Sequence, residues 1–170
     1  MRPDDLRAIQ APLKDLYRTD PDRAVVTLRA EAHVDAPGIS CRVETGQALV
    51  EAGLHPATGG TGMQACSGDL LLQALVACAG VTLRAVATAL DIPVTSGRVS
   101  AEGDLDFRGT LGVSKEAKVG FGAIRLRFEL ETGASEEQLA TLLKLTERYC
   151  VVLQTLRVGP EVGVEVRVGG

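Results

Sequence analysis

Tryptophan is absent from this 170-residue chain, and two tyrosines and three phenylalanines are its only aromatic residues. A nucleic-acid surface needs a basic track for phosphates and, for single strands, aromatic faces on which bases stack. Neither is available: 18 Lys plus Arg stand against 22 Asp plus Glu, with no basic run, so no nucleic-acid partner is expected. Histidine is nearly missing too. His33 and His55 are isolated from each other and from any metal-ligand spacing, so neither is assigned a role. The longest uncharged apolar stretch, Leu70 to Leu83, falls short of the roughly 20 residues that a bilayer requires and reads as a core helix. The start, Met1-Arg-Pro-Asp-Asp-Leu-Arg7, has no apolar signal core. Four cysteines make no dense disulfide framework and fit a reducing compartment. A soluble, cytoplasmic protein without a membrane partner is the expectation.

What is present fits one domain, long enough to bury roughly 70 % of its unfolded surface. Asp4 to Tyr17 carries Leu6, Ile9, Leu13 and Leu16 on one side and reads as a short amphipathic helix weakened by Pro12, which sets residues 1–23 apart as an extension to a domain at 24–170. Two or three strands follow between Ala24 and Val50, with Gly38 and Thr45-Gly46 as turn signals and a hairpin between them. The segment containing His55-Pro56 and Thr58-Gly-Gly-Thr-Gly62 lacks the lysine of a phosphate loop and reads as a flexible connection. A long helix then starts with Ser67 as N-cap and Asp69 in its first turn, and stops at Asp91-Ile-Pro93. It is apolar nearly all round and must be covered on most sides, some of that cover coming from a partner subunit. Strands are expected over Gly97–Phe107 and Phe121–Thr132, a second helix from the capping box Ser135-Glu-Glu-Gln138 to about Leu156, and a closing strand through Val162, Val164, Val166 and Val168. This order is that of an α+β split βαβ arrangement, in which both helices lie on one face of the sheet.

Such an arrangement lets Cys78 of the first long helix face Cys150 of the second. A buried Ala-Cys-Ala is most often simple core packing. A reactive thiol would also need a nearby positive charge, and Cys78 lies about ten residues into its helix, beyond the reach of that helix's own dipole. Arg84 and Arg148 point away from the sulfurs on ideal helices, which leaves loop or strand arginines such as Arg42, itself equally readable as an exposed strand residue. Cys66, just before the helix, is better placed for the dipole and reads as a loop thiol or a third redox thiol; Cys41 reads as packing.

The residues Asp69-Leu-Leu-Leu-Gln-Ala-Leu-Val-Ala-Cys78, Glu147-Arg-Tyr-Cys-Val151 and Asp106-Phe-Arg-Gly-Thr-Leu-Gly112, with Val119-Gly-Phe121, resemble the OsmC/Ohr family of thiol-dependent organic hydroperoxide reductases, over about residues 25–168. The resemblance implies an OsmC-like α+β fold with a mixed sheet and two long central helices, assembled as an intertwined homodimer with active sites at the subunit interface. It implies that Cys78 is the peroxidatic cysteine, attacking an alkyl or lipid hydroperoxide to give a sulfenic acid, and that Cys150 closes a disulfide with it. A dithiol, often lipoyl-bound in the family, would reset the pair without a metal or bound organic cofactor. Asp69 stands where many members have a glutamate that holds the catalytic arginine, Arg42 is the candidate for that arginine, and Val151 replaces a proline that often follows the second cysteine. The competing expectation is a non-catalytic dimer of the same fold that binds a small apolar ligand between subunits.

Overall fold

The computed structural model of the chain describes residues 2–5, 8, 11, 19, 31–33, 40–44, 49–112 and 114–169, with the backbone alone at 31–33, 40–44, 49 and 108. The expected amino-terminal helix, the boundary at residue 23 and the turns at Gly38 and Thr45-Gly46 fall largely or wholly outside these residues.

Helix α1 (Ser67–Ala89) runs through the centre. Leucine and alanine dominate it, and Asp69 complements the dipole of its first turn. Its N-cap is Cys66 rather than Ser67, one residue earlier than the sequence suggests, and no side chain caps it. Asp91 ends the helix in the left-handed region at φ 54, where the Ile92 N–H donates back to the Ala87 carbonyl, and Pro93 blocks continuation. By length and apolarity alone α1 could cross a bilayer. In this structure it packs against the strand Ser96–Leu105 and two later helices and leaves part of its surface exposed.

Strands β1 (Glu31–His33), β2 (Ser40–Glu44), β3 (Leu49–Gly53) and β4 (Ala65–Cys66) form a mixed sheet in that order, antiparallel except for the parallel β3–β4 pair. The expected hairpin is the β2–β3 ladder, paired from Ser40–Gly53 to Glu44–Leu49. A second sheet pairs β5 (Ser96–Leu105) with β6 (Phe121–Glu131), with the single turn α2 (Phe107–Thr110) between them. Alternation sends Val99, Ala101, Ile124, Leu126 and Phe128 against the helices and leaves Glu102, Asp104 and Arg125 in an exposed ion-pair cluster. A Cβ at Gly103 would lie 2.4 Å from the Phe121 ring, so any larger residue there must displace that ring.

Helix α3 (Glu136–Tyr149) opens with the expected capping box: Ser135 Oγ accepts from the Gln138 N–H, and Gln138 Oε1 accepts from the Ser135 N–H. Ser135→Ala is expected to remove about 1 kcal/mol of stability, readable as a lowered urea midpoint with an unchanged slope. The second helix does not continue to Leu156 as the periodicity suggests. It breaks at Cys150, whose ψ of 103 is extended, and restarts as α4 (Val151–Val158). In an unbroken helix the Val151 N–H would bond to the Glu147 carbonyl; here Gln154 Nε2 donates to that carbonyl at 2.7 Å, and the Val151 N–H is free to turn elsewhere.

Two apolar clusters hold α1 against α3. Leu83, Ala87, Ile92 and Leu142 meet at one end, and Leu75, Ala79 and Cys150 at the other. The expected closing strand is not formed within this chain: residues 159–169 join no ladder, and Val162, Val164, Val166 and Val168 are 77% to 90% exposed. A strand needs a hydrogen-bonding neighbour, and none of the described strands pairs with this segment.

Candidate active site

Cys78 and Cys150 meet at the helix break. Cys78 is half-buried on α1, Cys150 is wholly buried between α3 and α4, and both thiols are free. Because Cys150 serves at once as C-cap of α3 and N-cap of α4, the first amide groups of α4 project past it. The amide groups of Val152 and Val151, the Cys150 thiol and the Thr82 hydroxyl one turn along α1 lie close enough to the Cys78 sulfur to favour its ionised form.

These contacts separate the two thiols electrically. Burial opposes ionisation of Cys78, but the Val152 amide, the Cys150 thiol, Thr82 and the Val151 amide together outweigh it and hold Cys78 below the ordinary thiol range. Burial pushes Cys150 up; the Leu153 amide offsets part of this, while the neighbouring Cys78 adds to it. The result is one sulfur poised as a nucleophile and one that keeps its proton beside it. The sequence offers only cations as candidates, whereas the structure supplies the N-terminus of a different helix. The only sequence signal was the β-branched pair Val151-Val152 directly after Cys150, a weak helix breaker.

The other candidates are distributed elsewhere. Arg42 lies in β2 opposite Glu51, with its side chain outside the described part. Asp69 lines a different cavity of about 380 Å³ near the start of α1, with His55, Cys66, Phe107 and Phe121, and is not among the groups that act on Cys78. Cys66 stands about 18 Å from Cys78 along the helix axis, too far to bond with it. His55 serves the local structure, since its Nδ1 accepts from the Ala57 N–H and its ring stacks on Phe107 with centroids 4.9 Å apart. Arg84 donates to the Val94 carbonyl and Arg148 lies over the Tyr149 ring, so both point away from the sulfurs as expected.

Beside the thiol pair is an apolar cavity of about 430 Å³ between β6 and the α3–α4 segment. Leu75, Ile124, Leu126, Phe128 and Leu153 line it, and the Glu147–Arg157 ion pair at 2.8 Å stands at its polar side. Leu75 and Leu153 also pack in the cluster that holds Cys150 and Cys78, so the cavity and the thiols share a wall.

The amide contribution can be isolated. Val151 is the first residue of α4 and follows an extended residue, the place where proline is best tolerated, so Val151→Pro should fold while deleting one donor to Cys78. The pH midpoint of Cys78 alkylation is expected to rise in this variant, with the Val152 amide preserving part of the original depression.

The family model described as OsmC-like protein matches residues 60–165. No protein of curated function matches the chain in sequence. Among solved structures, an OsmC-like protein from Mycoplasma pneumoniae superposes with a TM-score of 0.66 at 17% identity, covering 79% of this chain and 89% of that one. An organic hydroperoxide resistance protein OsmC from Legionella pneumophila gives 0.60 at 19% identity, over 79% and 91% of the two chains. An organic hydroperoxide resistance protein from Elizabethkingia anophelis gives 0.56, again at 19% identity and over the same shares. With its helix-centred α+β fold and its match across the segment that holds both cysteines, the chain belongs to the OsmC-like protein family.

Proposed function

We propose that the protein is a thiol peroxidase that reduces organic hydroperoxides through Cys78 and Cys150. The observation that carries this reading is the meeting of Cys78 with Cys150 in one apolar cluster at the helix break, where nearby amides pull the Cys78 thiol down and burial pushes Cys150 up. The Cys78 thiolate attacks the terminal peroxide oxygen, the O–O bond breaks, the alkoxide takes a proton and leaves as the alcohol, and Cys78 becomes a sulfenic acid. Cys150 then forms the disulfide with loss of water, and an external dithiol returns both thiols. The apolar wall beside the sulfurs supports alkyl or lipid hydroperoxides over hydrogen peroxide, at about 0.8 kcal/mol for each methylene buried.

The working unit in this reading is a homodimer in a reducing, cytoplasmic compartment. Beside its buried stripe, α1 leaves Leu71, Ala74, Ala77, Val81 and Ala85 exposed at helical spacing along the edge that carries Cys78. A second copy laid on this stripe covers it, narrows access to Cys78 and offers a sheet edge to the unpaired Val162–Val168 segment. Arg42 remains the candidate for an arginine brought to Cys78 in that assembly.

The test is turnover with cumene hydroperoxide and with hydrogen peroxide, reduced by dihydrolipoamide or by glutathione. Faster turnover of the organic peroxide with the dithiol supports the reading. The 430 Å³ cavity favours one alternative, a non-catalytic binder of a small apolar ligand. Thiols that survive excess peroxide, together with saturable binding of an apolar dye, would establish that alternative instead.

A further inference from the structure

Thr146 carries the one side-chain oxygen or nitrogen among the described residues that is buried without a hydrogen-bond partner. It is 1% exposed and stands one helical turn before Cys150, whose N–H donates to the Thr146 carbonyl at 3.0 Å. Leu142, Thr146 and Cys150 follow at four-residue spacing, and all three are buried. Since Leu142 packs with Leu83 and Ala87, and Cys150 with Leu75 and Ala79, Thr146 faces α1 between those two contacts. A helical threonine ordinarily returns its hydroxyl to the carbonyl four residues back, here that of Leu142. This one does not, although an unpaired buried hydroxyl is destabilising.

The other thiol shows what such a hydroxyl does. Thr82 follows Cys78 by four residues on α1, and its hydroxyl favours the Cys78 thiolate. Thr146 precedes Cys150 by four, and because helical side chains lean toward the N-terminus it is the Cys150 side chain that leans toward Thr146. In the reduced pair the Cys150 thiol also donates to Cys78, so Cys150 is a donor and has no need of one.

We propose that Thr146 is a positioning residue for disulfide closure, its hydroxyl donating to the Cys150 sulfur as that sulfur loses its proton and attacks the Cys78 sulfenic acid. This deepens the peroxidase reading and rests on it. In the step, the Cys150 S–H bond breaks and its sulfur forms the S–S bond. The Cys78 S–O bond breaks, and the departing hydroxide leaves with that proton as water. Cys150 is oxidised, the sulfenic sulfur is reduced, and no further reactant is needed. A hydrogen bond to developing negative charge is stronger than one to a neutral thiol, so the hydroxyl matters most during closure.

The test compares wild type with Thr146→Val and Thr146→Ser after one equivalent of cumene hydroperoxide. Quenched samples treated with dimedone are analysed by mass spectrometry for the Cys78 sulfenic adduct and the Cys78–Cys150 disulfide. Thr146→Val is expected to form sulfenic acid at the wild-type rate, to close the disulfide about tenfold more slowly, and to melt no lower than wild type. Thr146→Ser, which keeps the hydroxyl, is expected to restore closure. Wild-type closure in a folded Thr146→Val, or slow closure in Thr146→Ser equal to that in the valine variant, overturns the inference while leaving the peroxidase reading intact. Absence of any sulfenic adduct or disulfide in wild type overturns both.

Discussion

Cys78→Ser is expected to lower cumene hydroperoxide consumption by at least about a thousandfold, because a serine hydroxyl in the same place offers no thiolate to the peroxide. The amide groups of Val151 and Val152 would still point at that position, but they stabilise a charge that serine does not carry at neutral pH. The wild-type pH profile follows from the same contacts. Reactivity is expected to rise with pH as Cys78 ionises, with a midpoint below that of an ordinary thiol, and to level off where Cys150 still holds its proton. Limited iodoacetamide labelling near neutral pH should therefore mark Cys78 well before Cys150. Equal labelling of the two cysteines would contradict the separation of the thiols by the helix break.

Leu142→Ala is expected to cost about 3 kcal/mol of stability, which in a chain of this size lowers the melting temperature by roughly 10 °C. Leu142 is fully buried where α3 crosses α1, against Leu83, Ala87 and Ile92. The thiol pair belongs to the other cluster, around Leu75 and Ala79. The alanine variant, assayed below its transition, should thus keep the wild-type rate of Cys78 oxidation. Loss of stability and loss of chemistry would then separate: Leu142→Ala is weak but reactive, and Cys78→Ser is inert.

Elements that depend on local chemistry were readable from the sequence. The Ser135–Gln138 capping box, the alternation along β5 and β6, and the end of α1 at Asp91-Ile-Pro93 each follow from neighbouring residues. So did the meeting of Cys78 with Cys150, through the placement of two helices on one sheet face. Features set by long-range packing were not readable. Residues 136–156 have an unbroken helical pattern; at the break Gln154 reaches back to the Glu147 carbonyl, and the freed amides find Cys78 across the helix contact, a neighbour that only the tertiary packing supplies. The valine comb from Val162 to Val168 has strand periodicity, but periodicity names a conformation and supplies no neighbouring strand. Asp69 matched a family position in sequence, yet it faces the cavity of His55 and Cys66, well over two turns from the thiol pair.

Whether Cys78 and Cys150 act as one redox unit is tested by thiol counting with peptide mass spectrometry before and after one equivalent of cumene hydroperoxide. Rapid loss of two thiols, a single Cys78–Cys150 crosslink in wild type, and a trapped Cys78 sulfenic acid in Cys150→Ser are expected. Four intact cysteines after excess peroxide, or a crosslink that joins Cys66 to either partner, would contradict that pairing.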